Sequence, residues 1–146
     1  MIKRYEHTQV GYLIIAVMAA VMVWIGIVLA NAGLNWIAIG VLVVIAVVLV
    51  LFSSLTVVIR EEDLEARFGP GPIRKRFNLS EIESCQVVKN QWYYGWGIRL
   101  TPHGVLYNVS GFYAVEIKLR TGKKFRIGTD VPRELEEAIK QAINIR

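Results

Sequence analysis

Charged residues are missing from more than a third of this chain. From Thr8 to Ile59 the sequence runs for 52 residues without a Lys, Arg, Asp or Glu, while residues 60–146 carry 26 of the 29 charged residues. A soluble globular domain of ordinary composition is excluded, because the remaining 87 residues are too few to bury an uncharged apolar run of that length. The two parts therefore need separate interpretations.

Groups for catalysis and metal binding are also scarce. The chain has one cysteine, Cys85, and two histidines, His7 and His103. A single cysteine excludes a disulfide within the chain, and no Cys, His and carboxylate residues stand at metal-ligand spacing. Gly95-Trp96-Gly97 lacks the third glycine and the following helix of a dinucleotide-binding loop. We therefore predict a protein that is not an enzyme and has no catalytic residue, metal site or cofactor.

The uncharged run is too long for one membrane-spanning helix. About 20 helical residues cross a bilayer core, so a run of this length must fold back once. Asn31, Gly33 and Asn35 supply turn-forming residues in an otherwise aliphatic stretch and mark the break. We predict a transmembrane hairpin over residues 10–54, with helices at 10–30 and 36–54.

Basic residues predict the orientation of this hairpin. Lys3 and Arg4 precede the first helix, Arg60 and Arg67 follow the second, and the connecting turn has none. Because positive charge marks the cytoplasmic side, we expect a multi-pass protein of the inner (cytoplasmic) membrane with both termini in the cytoplasm. Residues 1–9 then form a cytoplasmic N-terminal segment. No ionisable residue lies inside the helices, which predicts an anchor rather than an ion or proton pathway.

A secretory signal peptide is the alternative interpretation of the N-terminal part. Lys3-Arg4, the apolar stretch and Ala30-Asn31-Ala32 imitate the charged start, the core and the cleavage site of such a peptide. However, the apolar stretch exceeds the usual length of about 7–15 residues, and a second apolar stretch follows directly. These two features favour the hairpin.

Residues 55–146 have the pattern of a small α+β, mainly β domain. Six or seven short antiparallel strands are predicted over residues 55–129, and the clearest hairpin surrounds Thr121-Gly122-Lys123. A helix over about 131–145 follows, with Thr129 or Asp130 as its cap and one apolar face. Such a helix would close a small barrel or bent sandwich and shield its strand edges.

This order of elements resembles a known family. A strand leaving a two-helix anchor, a basic strand followed by a helical turn, a terminal hairpin and a capping helix look like the bacterial pleckstrin-homology-like (bacterial PH) domain proteins. More narrowly, Gly95-Trp96-Gly97-Ile98-Arg99 and the segments 106–111 and 125–130 resemble a family of small two-span membrane proteins of this type. The resemblance implies a PH-like barrel capped by a C-terminal helix, and it brings no established activity with it.

A basic cluster is the first candidate for binding. Strand alternation in Arg74-Lys75-Arg76 places Arg74 and Arg76 on one face, where they could meet the phosphate groups of anionic lipids. A solvated strand face is the competing explanation. It is favoured by the acidic turn Glu61-Glu62-Asp63, which would repel phosphate where eukaryotic lipid-binding PH domains carry their basic motif.

An aromatic loop is the second candidate, consisting of Trp92, Tyr93, Tyr94 and Trp96. Trp and Tyr offer large contact areas to a protein partner or to the lipid headgroup layer. The competing explanation is that they fill the end of the barrel. Four aromatic side chains on so short a segment cannot all point inward, so we expect at least one to be exposed at a membrane or partner contact.

A polar cluster at the barrel end is the third candidate. Its members are Arg99, Asn108, Ser110, Arg126, Thr129 and Asp130. If their strands are neighbours, they could bind a small anion or a peptide carboxylate. Turn capping and structural hydrogen bonding explain the uncharged members and Asp130 equally well.

These patterns define one leading hypothesis and two alternatives. The chain is predicted to be a membrane-anchored binding or scaffolding module at the cytoplasmic face. The alternatives are a sensor of anionic lipid headgroups and an accessory subunit of a larger membrane complex. Predicted partners are membrane lipids and a second copy of the chain or another membrane protein. Membrane apposition explains the net charge of +5, so nucleic acid is not expected as a partner.

Overall fold

The computed structural model describes residues 3–144, which form two long helices near the N-terminus, a β-rich region and a C-terminal helix. The helices are α1 (Tyr12–Ala32), α2 (Trp36–Phe52) and α3 (Pro132–Asn144). Within these residues there are nine strands: β1 (Tyr5–Val10), β2 (Ser54–Ile59), β3 (Asp63–Phe68), β4 (Ile73–Asn78), β5 (Ile82–Lys89), β6 (Gly97–Thr101), β7 (Gly104–Asn108), β8 (Tyr113–Leu119) and β9 (Lys124–Gly128). Two short 3₁₀ turns, Leu79–Glu81 and Trp92–Tyr94, precede β5 and β6.

The strands form two sheets. Sheet 1 has the order β1-β2-β3-β4 and is antiparallel throughout, whereas sheet 2 has the order β5-β8-β9-β7-β6 and contains one parallel pair, β7 with β9. The prediction of six or seven strands, all antiparallel, is therefore wrong in number and in one pairing. The parallel pair has a simple cause: β9 lies between β7 and β8, which run in opposite directions, so it must be parallel to one of them.

The N-terminal strand is the element that the sequence pattern does not indicate. The sequence predicts residues 1–9 only as an N-terminal segment before the first helix, yet Tyr5–Val10 pairs with β2 along its whole length, from Tyr5 opposite Ile59 to Val10 opposite Ser54. The two apolar helices are thus inserted between two neighbouring strands of one sheet. Both ends of the helical pair are fixed to the β domain without a linker.

The helices begin and end close to the predicted limits. The predicted helices 10–30 and 36–54 correspond to α1 and α2, and their outer ends differ by two residues because the chain there already belongs to the strands or their junctions. The predicted break between them is confirmed: Gly33 follows α1, and the Asn35 side chain accepts a hydrogen bond from Ile37 N at 2.9 Å. Helix α1, with a mean hydropathy of 2.9, is long and apolar enough to cross a membrane, whereas α2 is shorter at 17 residues.

The two sheets and α3 enclose one hydrophobic core. Helix α3 packs against β5, β8 and β2, so the predicted capping helix is present, although residues 145 and 146 lie outside the described part of the chain. Val131 N donates to Thr129 Oγ1 just before the helix begins, and Val87 N on the edge strand β5 donates to Glu136 Oε2 of α3 at 2.8 Å. The central residues are Leu55, Val57, Ile59, Leu64, Phe68, Val115, Ile117, Ile127, Leu135 and Ile139.

The turn between β3 and β4 lies directly beneath the last turn of α2. A Cβ atom added at Gly69 would lie 2.8 Å from the carbonyl oxygen of Leu51 and closer still to that of Val50. Gly69 also has a φ of 51°, in the left-handed region that a residue with a side chain enters only at a cost. Glycine is therefore required here on two grounds, and it sets the approach of sheet 1 to the helices.

We predict that Gly69→Ala destabilises the fold more than Gly111→Ala. Gly111 has a similar φ of 69°, but no atom lies within 4 Å of its added Cβ, so this control carries only the backbone cost of about 1–2 kcal/mol. Gly69→Ala adds a clash with α2, worth about 1–3 kcal/mol more. Thermal unfolding of the detergent-solubilised chain measures the difference, and equal melting temperatures for the two variants would show that the turn does not press against α2.

Candidate functional site

The bases of α1 and α2 define one end of the β domain, which we call the helix-proximal end. There Gly11 N donates to Ser53 O at 2.7 Å, and Gln9 Nε2 donates to Ser110 O at 3.0 Å. The β3–β4 turn and the loop 109–112 both lie at this end. The turn Glu61-Glu62 lies at the other end, because β2 leads away from the helices over six residues. The acidic turn is thus remote from any surface beside the helices.

The outer face of sheet 1, which points away from the core, carries two rows of residues that are polar except for Val58. The row nearer the helices consists of Thr8, Thr56, Arg67 and Arg74. The next row consists of Glu6, Val58, Glu65 and Arg76. Arg60 and Asp63 follow at the far end of β2 and β3. Residues that are distant in the sequence are thus placed side by side.

Glu65 is a buried carboxylate among these basic residues. Arg76 Nε donates to its Oε2 at 2.5 Å, while Arg60 Nη1 lies 3.6 Å from Oε2 and Arg67 Nη1 lies 3.8 Å from Oε1. Burial acts to raise the pKa of Glu65, but the hydrogen bond and charge of Arg76 and the charges of Arg60 and Arg74 outweigh it and hold this pKa below its usual range. Glu65 is therefore ionised at neutral pH.

The predicted basic cluster is divided by the strand. Arg74 and Arg76 share the outer face, but Lys75 points to the opposite side, with Nζ 5.9 Å from the ring centroid of Phe77 and 5.7 Å from that of Phe125. Arg76 is occupied by Glu65. Arg74 instead lies directly opposite Arg67 of β3, a residue that was not among the candidates. Pairing the strands across the turn at Gly69 would have revealed this neighbour.

The aromatic segment divides into an exposed half and a covered half. Trp92 and Tyr93 are 77% and 64% exposed, whereas Tyr94 and Trp96 are half-buried. Phe112 and Tyr113 are also exposed, and Phe112 lines a pocket of about 460 Å³ together with Trp92 and Lys89. We call Trp92, Tyr93, Phe112 and Tyr113 the aromatic surface. Phe112 and Tyr113 were not among the candidates, because they lie about twenty residues after Trp92 in the sequence, at the start of β8, and come close to it only through the pairing of β5 with β8.

Trp96 belongs to a different environment. It lines a groove of about 360 Å³ between the helix bases and β6, in which the apolar walls are Ile14, Met18, Val48, Phe52 and Ile98. Arg99 stands at the same groove and donates from Nε to Trp96 O at 3.0 Å. The predicted interaction loop is therefore not one surface.

A buried ion pair lies on the outer face of sheet 2. Arg126 Nε donates to Glu116 Oε2 at 2.9 Å and its Nη1 donates to Asn90 Oδ1 at 3.0 Å; all three residues are buried. Asn90 opens the segment 90–96, which must connect β5 and β6 at opposite edges of the sheet, a distance of about 19 Å. This connection contributes to covering the pair, so Arg126 is a structural residue and not an open anion site.

The predicted polar cluster is not assembled as one site. Arg99, Asn108 and Arg126 share the outer face of sheet 2, but Leu106 separates the two arginines. Asn108 Nδ2 donates to Gly111 O at 3.0 Å and its Oδ1 accepts from Ser110 N, so both residues shape their own turn. Asp130 Oδ1 instead lies 2.6 Å from His7 Nε2 of β1.

Metal-ligating side chains are not clustered in the part of the chain that the structure describes. Within 3–144, no three His, Cys, Asp or Glu side chains are grouped so that they could hold a metal ion. Cys85 is buried, and this burial raises the pKa of its thiol to about 11, so it stays protonated at neutral pH. No family model, curated protein or solved structure matches this chain. The geometry alone must carry any functional conclusion.

We predict that Glu65→Gln removes a pH-dependent part of the stability. Because the pKa of Glu65 is lower in the folded than in the unfolded chain, its contribution is present above about pH 4.5 and is lost as the pH falls toward the folded value. The variant should lose about 1–3 kcal/mol at neutral pH, where Arg76 loses a charged acceptor. Its melting temperature should also fall less on acidification than that of the unmodified chain.

The exposed Glu137→Gln serves as the control for this measurement. Melting temperatures of both variants and of the unmodified chain are recorded between pH 7 and pH 3. Parallel curves for Glu65→Gln and the unmodified chain would contradict a role for the buried carboxylate.

Proposed function

We propose that this chain is a membrane-anchored binding or scaffolding module without catalytic activity. In this proposal α1 and α2 cross the inner membrane as a hairpin, and the PH-like β domain lies at the cytoplasmic face. The observation that carries it is that neither helix has a single buried residue, although both are almost entirely apolar. Both helices also continue directly into paired strands of the domain.

Exposure of the helices supports a lipid environment for both. Large apolar side chains project from them in all directions, among them Val17, Trp24, Ile27, Val43, Val44 and Val47. Apolar surface costs about 25 cal/mol per Å² in water, and soluble monomers rarely expose patches of this extent. Helix α2, at about 26 Å for 17 residues, lies at the lower end of the length that spans a bilayer. In a lipid environment neither helix bears the free-energy cost of exposing apolar side chains to water.

Basic residues on the domain side of the helices support the proposed orientation. Lys3 and Arg4 precede β1, while Arg67 follows β2 and lies in the row next to the helix bases. The turn 33–35 between the helices carries no charge. By the positive-inside rule the β domain belongs on the cytoplasmic side.

The aromatic surface favours a role in a protein assembly. Aromatic residues are enriched at protein interfaces, and here Trp92 and Phe112 line a pocket that also contains Lys89. The loop 109–112 places part of this surface at the helix-proximal end. We propose as its occupant another protein in the same membrane, with an acidic group for Lys89. The chain would then be an accessory subunit held at a fixed height.

We predict that single-cysteine labelling shows two spans and a cytoplasmic domain. Cys85 is the only cysteine, so Cys85→Ala gives an unreactive background into which Leu34→Cys in the helix turn and His103→Cys in the β6–β7 turn are introduced. On cells whose outer membrane or wall has been removed and whose inner membrane is intact, a membrane-impermeant maleimide should label position 34 only. Position 103 should react after permeabilisation, and alkaline carbonate should leave the protein in the membrane fraction. The reverse labelling pattern would refute the orientation, and release by carbonate would refute the anchor.

We predict that Trp92→Ala/Tyr93→Ala removes a partner protein. Native mass spectrometry after gentle detergent extraction should show a heavier complex for the unmodified chain and the free chain for the variant. Loss of exposed side chains should change stability by no more than about 0.5 kcal/mol. Leu100→Ala, an exposed residue of β6, serves as the control. An unchanged complex in the variant would exclude this surface, and a mass of two chains would identify a second copy instead.

A further inference from the structure

Arg67 and Arg74 form a pair of like charges in the row next to the helices. They lie directly opposite each other on β3 and β4, an arrangement that destabilises a sheet unless an anion or carboxylate lies between the two charges. Glu65 Oε1, at 3.8 Å from Arg67 Nη1, accepts no hydrogen bond from it. Within residues 3–144 Arg74 forms no ion pair. The pair therefore shares the single charge of Glu65 with Arg60 and Arg76.

The carboxylates on the same face already form ion pairs with other cations. Glu6 is paired with Lys3, Glu65 with Arg76, and Asp63 lies within 3.6 Å of Arg60. Lys3, Arg60 and Arg76 thus each have a carboxylate partner, whereas Arg67 reaches only Glu65, at 3.8 Å, and Arg74 has no ion pair among the described residues. The row of Arg67 and Arg74 therefore carries more positive charge than the one carboxylate beside it neutralises.

Hydroxyl groups complete this row on its other side. Thr56 stands opposite Arg67 on β2, and its Oγ1 lies 2.9 Å from Thr8 Oγ1 on β1. Guanidinium and hydroxyl groups both donate hydrogen bonds to phosphate oxygens, and a planar guanidinium can bind phosphate through two parallel hydrogen bonds. The row contains no carboxylate that would oppose an incoming phosphate.

The row also lies at the depth of lipid phosphates. Arg67 is two residues from Gly69, which touches the last turn of α2, and Thr56 is two residues from the start of β2. Two strand residues extend about 7 Å, and the headgroup region of one leaflet is about 5–8 Å thick. This step rests on the proposed function, because it takes the helices to span the bilayer.

We propose that Arg67 and Arg74 bind the phosphate group of an anionic phospholipid in the leaflet next to the β domain. The proposed site differs from the predicted cluster 74–76, because Lys75 points to the opposite face and Arg76 is hydrogen-bonded to Glu65. The acidic turn that argued against phosphate lies at the far end of β2 and β3 and does not oppose it.

The test uses the full chain in lipid nanodiscs of phosphatidylcholine, with and without phosphatidylglycerol. Lipids that remain bound after transfer to detergent are counted by native mass spectrometry. We expect retained phosphatidylglycerol in the unmodified chain and about tenfold less in Arg67→Gln/Arg74→Gln. The control Arg120→Gln/Lys123→Gln removes the same charge at the β8–β9 turn, away from the helix-proximal end, and should retain the lipid. Equal retention by the unmodified chain and the double variant would overturn the proposal.

Two further measurements distinguish the failure of this site from misfolding of the variant and from failure of the proposed membrane anchor. If the double variant fails to fold, the single change Arg74→Gln is used, because this exposed side chain has no ion pair among the described residues. Inorganic phosphate is titrated against the lipid-free, detergent-bound chain: stabilisation by phosphate equal to that by phosphatidylglycerol would overturn the assignment to a lipid. Release of the chain from the membrane by carbonate would refute the anchor, whereas an anchored chain without lipid preference would refute only this site.

Discussion

The structure depends on the pairing of β1 with β2. These two strands flank the helical pair in sequence and lie side by side in sheet 1, so the ends of α1 and α2 are held at the spacing of neighbouring strands, about 4.8 Å between backbones. The contact of the β3–β4 turn with α2 and the bond from Gln9 to the loop 109–112 add to this connection. The β domain therefore has a fixed tilt and height relative to the helices.

Charge is ordered along sheet 1 as a result. Arg67 and Arg74 stand next to the helix bases, the buried Glu65 and its partner Arg76 lie in the next row, and the acidic turn lies at the far end. A buried carboxylate among arginines is stable because its desolvation is compensated by a hydrogen bond and several positive charges. Glu65 also decides which arginine is available for a ligand, since it occupies Arg76 and leaves Arg74.

Much of the architecture follows from local patterns, and the candidate sites do not. The lack of charge locates α1 and α2, Asn35 and Gly33 locate their turn, and apolar spacing locates α3. The strand β1 escapes this reasoning, since its polar sequence becomes a strand only by pairing with residues about fifty positions later. The same holds for Arg67 opposite Arg74 and for Arg126 with Glu116 and Asn90: alternation gives the face of each side chain, whereas its neighbour depends on strand order.

The position of β1 also imposes a sequence of events on folding. This strand is synthesised first, but its partner β2 follows only after both helices, so the edge of sheet 1 stays open until α1 and α2 have formed and turned back. Closing so long a loop is an entropic cost that the strand pairing must repay, and non-local pairing of this kind is slow. A chain whose second helix failed to return would leave β1 unpaired and exposed. Sheet 1 can therefore be completed only in a chain whose two helices have formed an antiparallel pair.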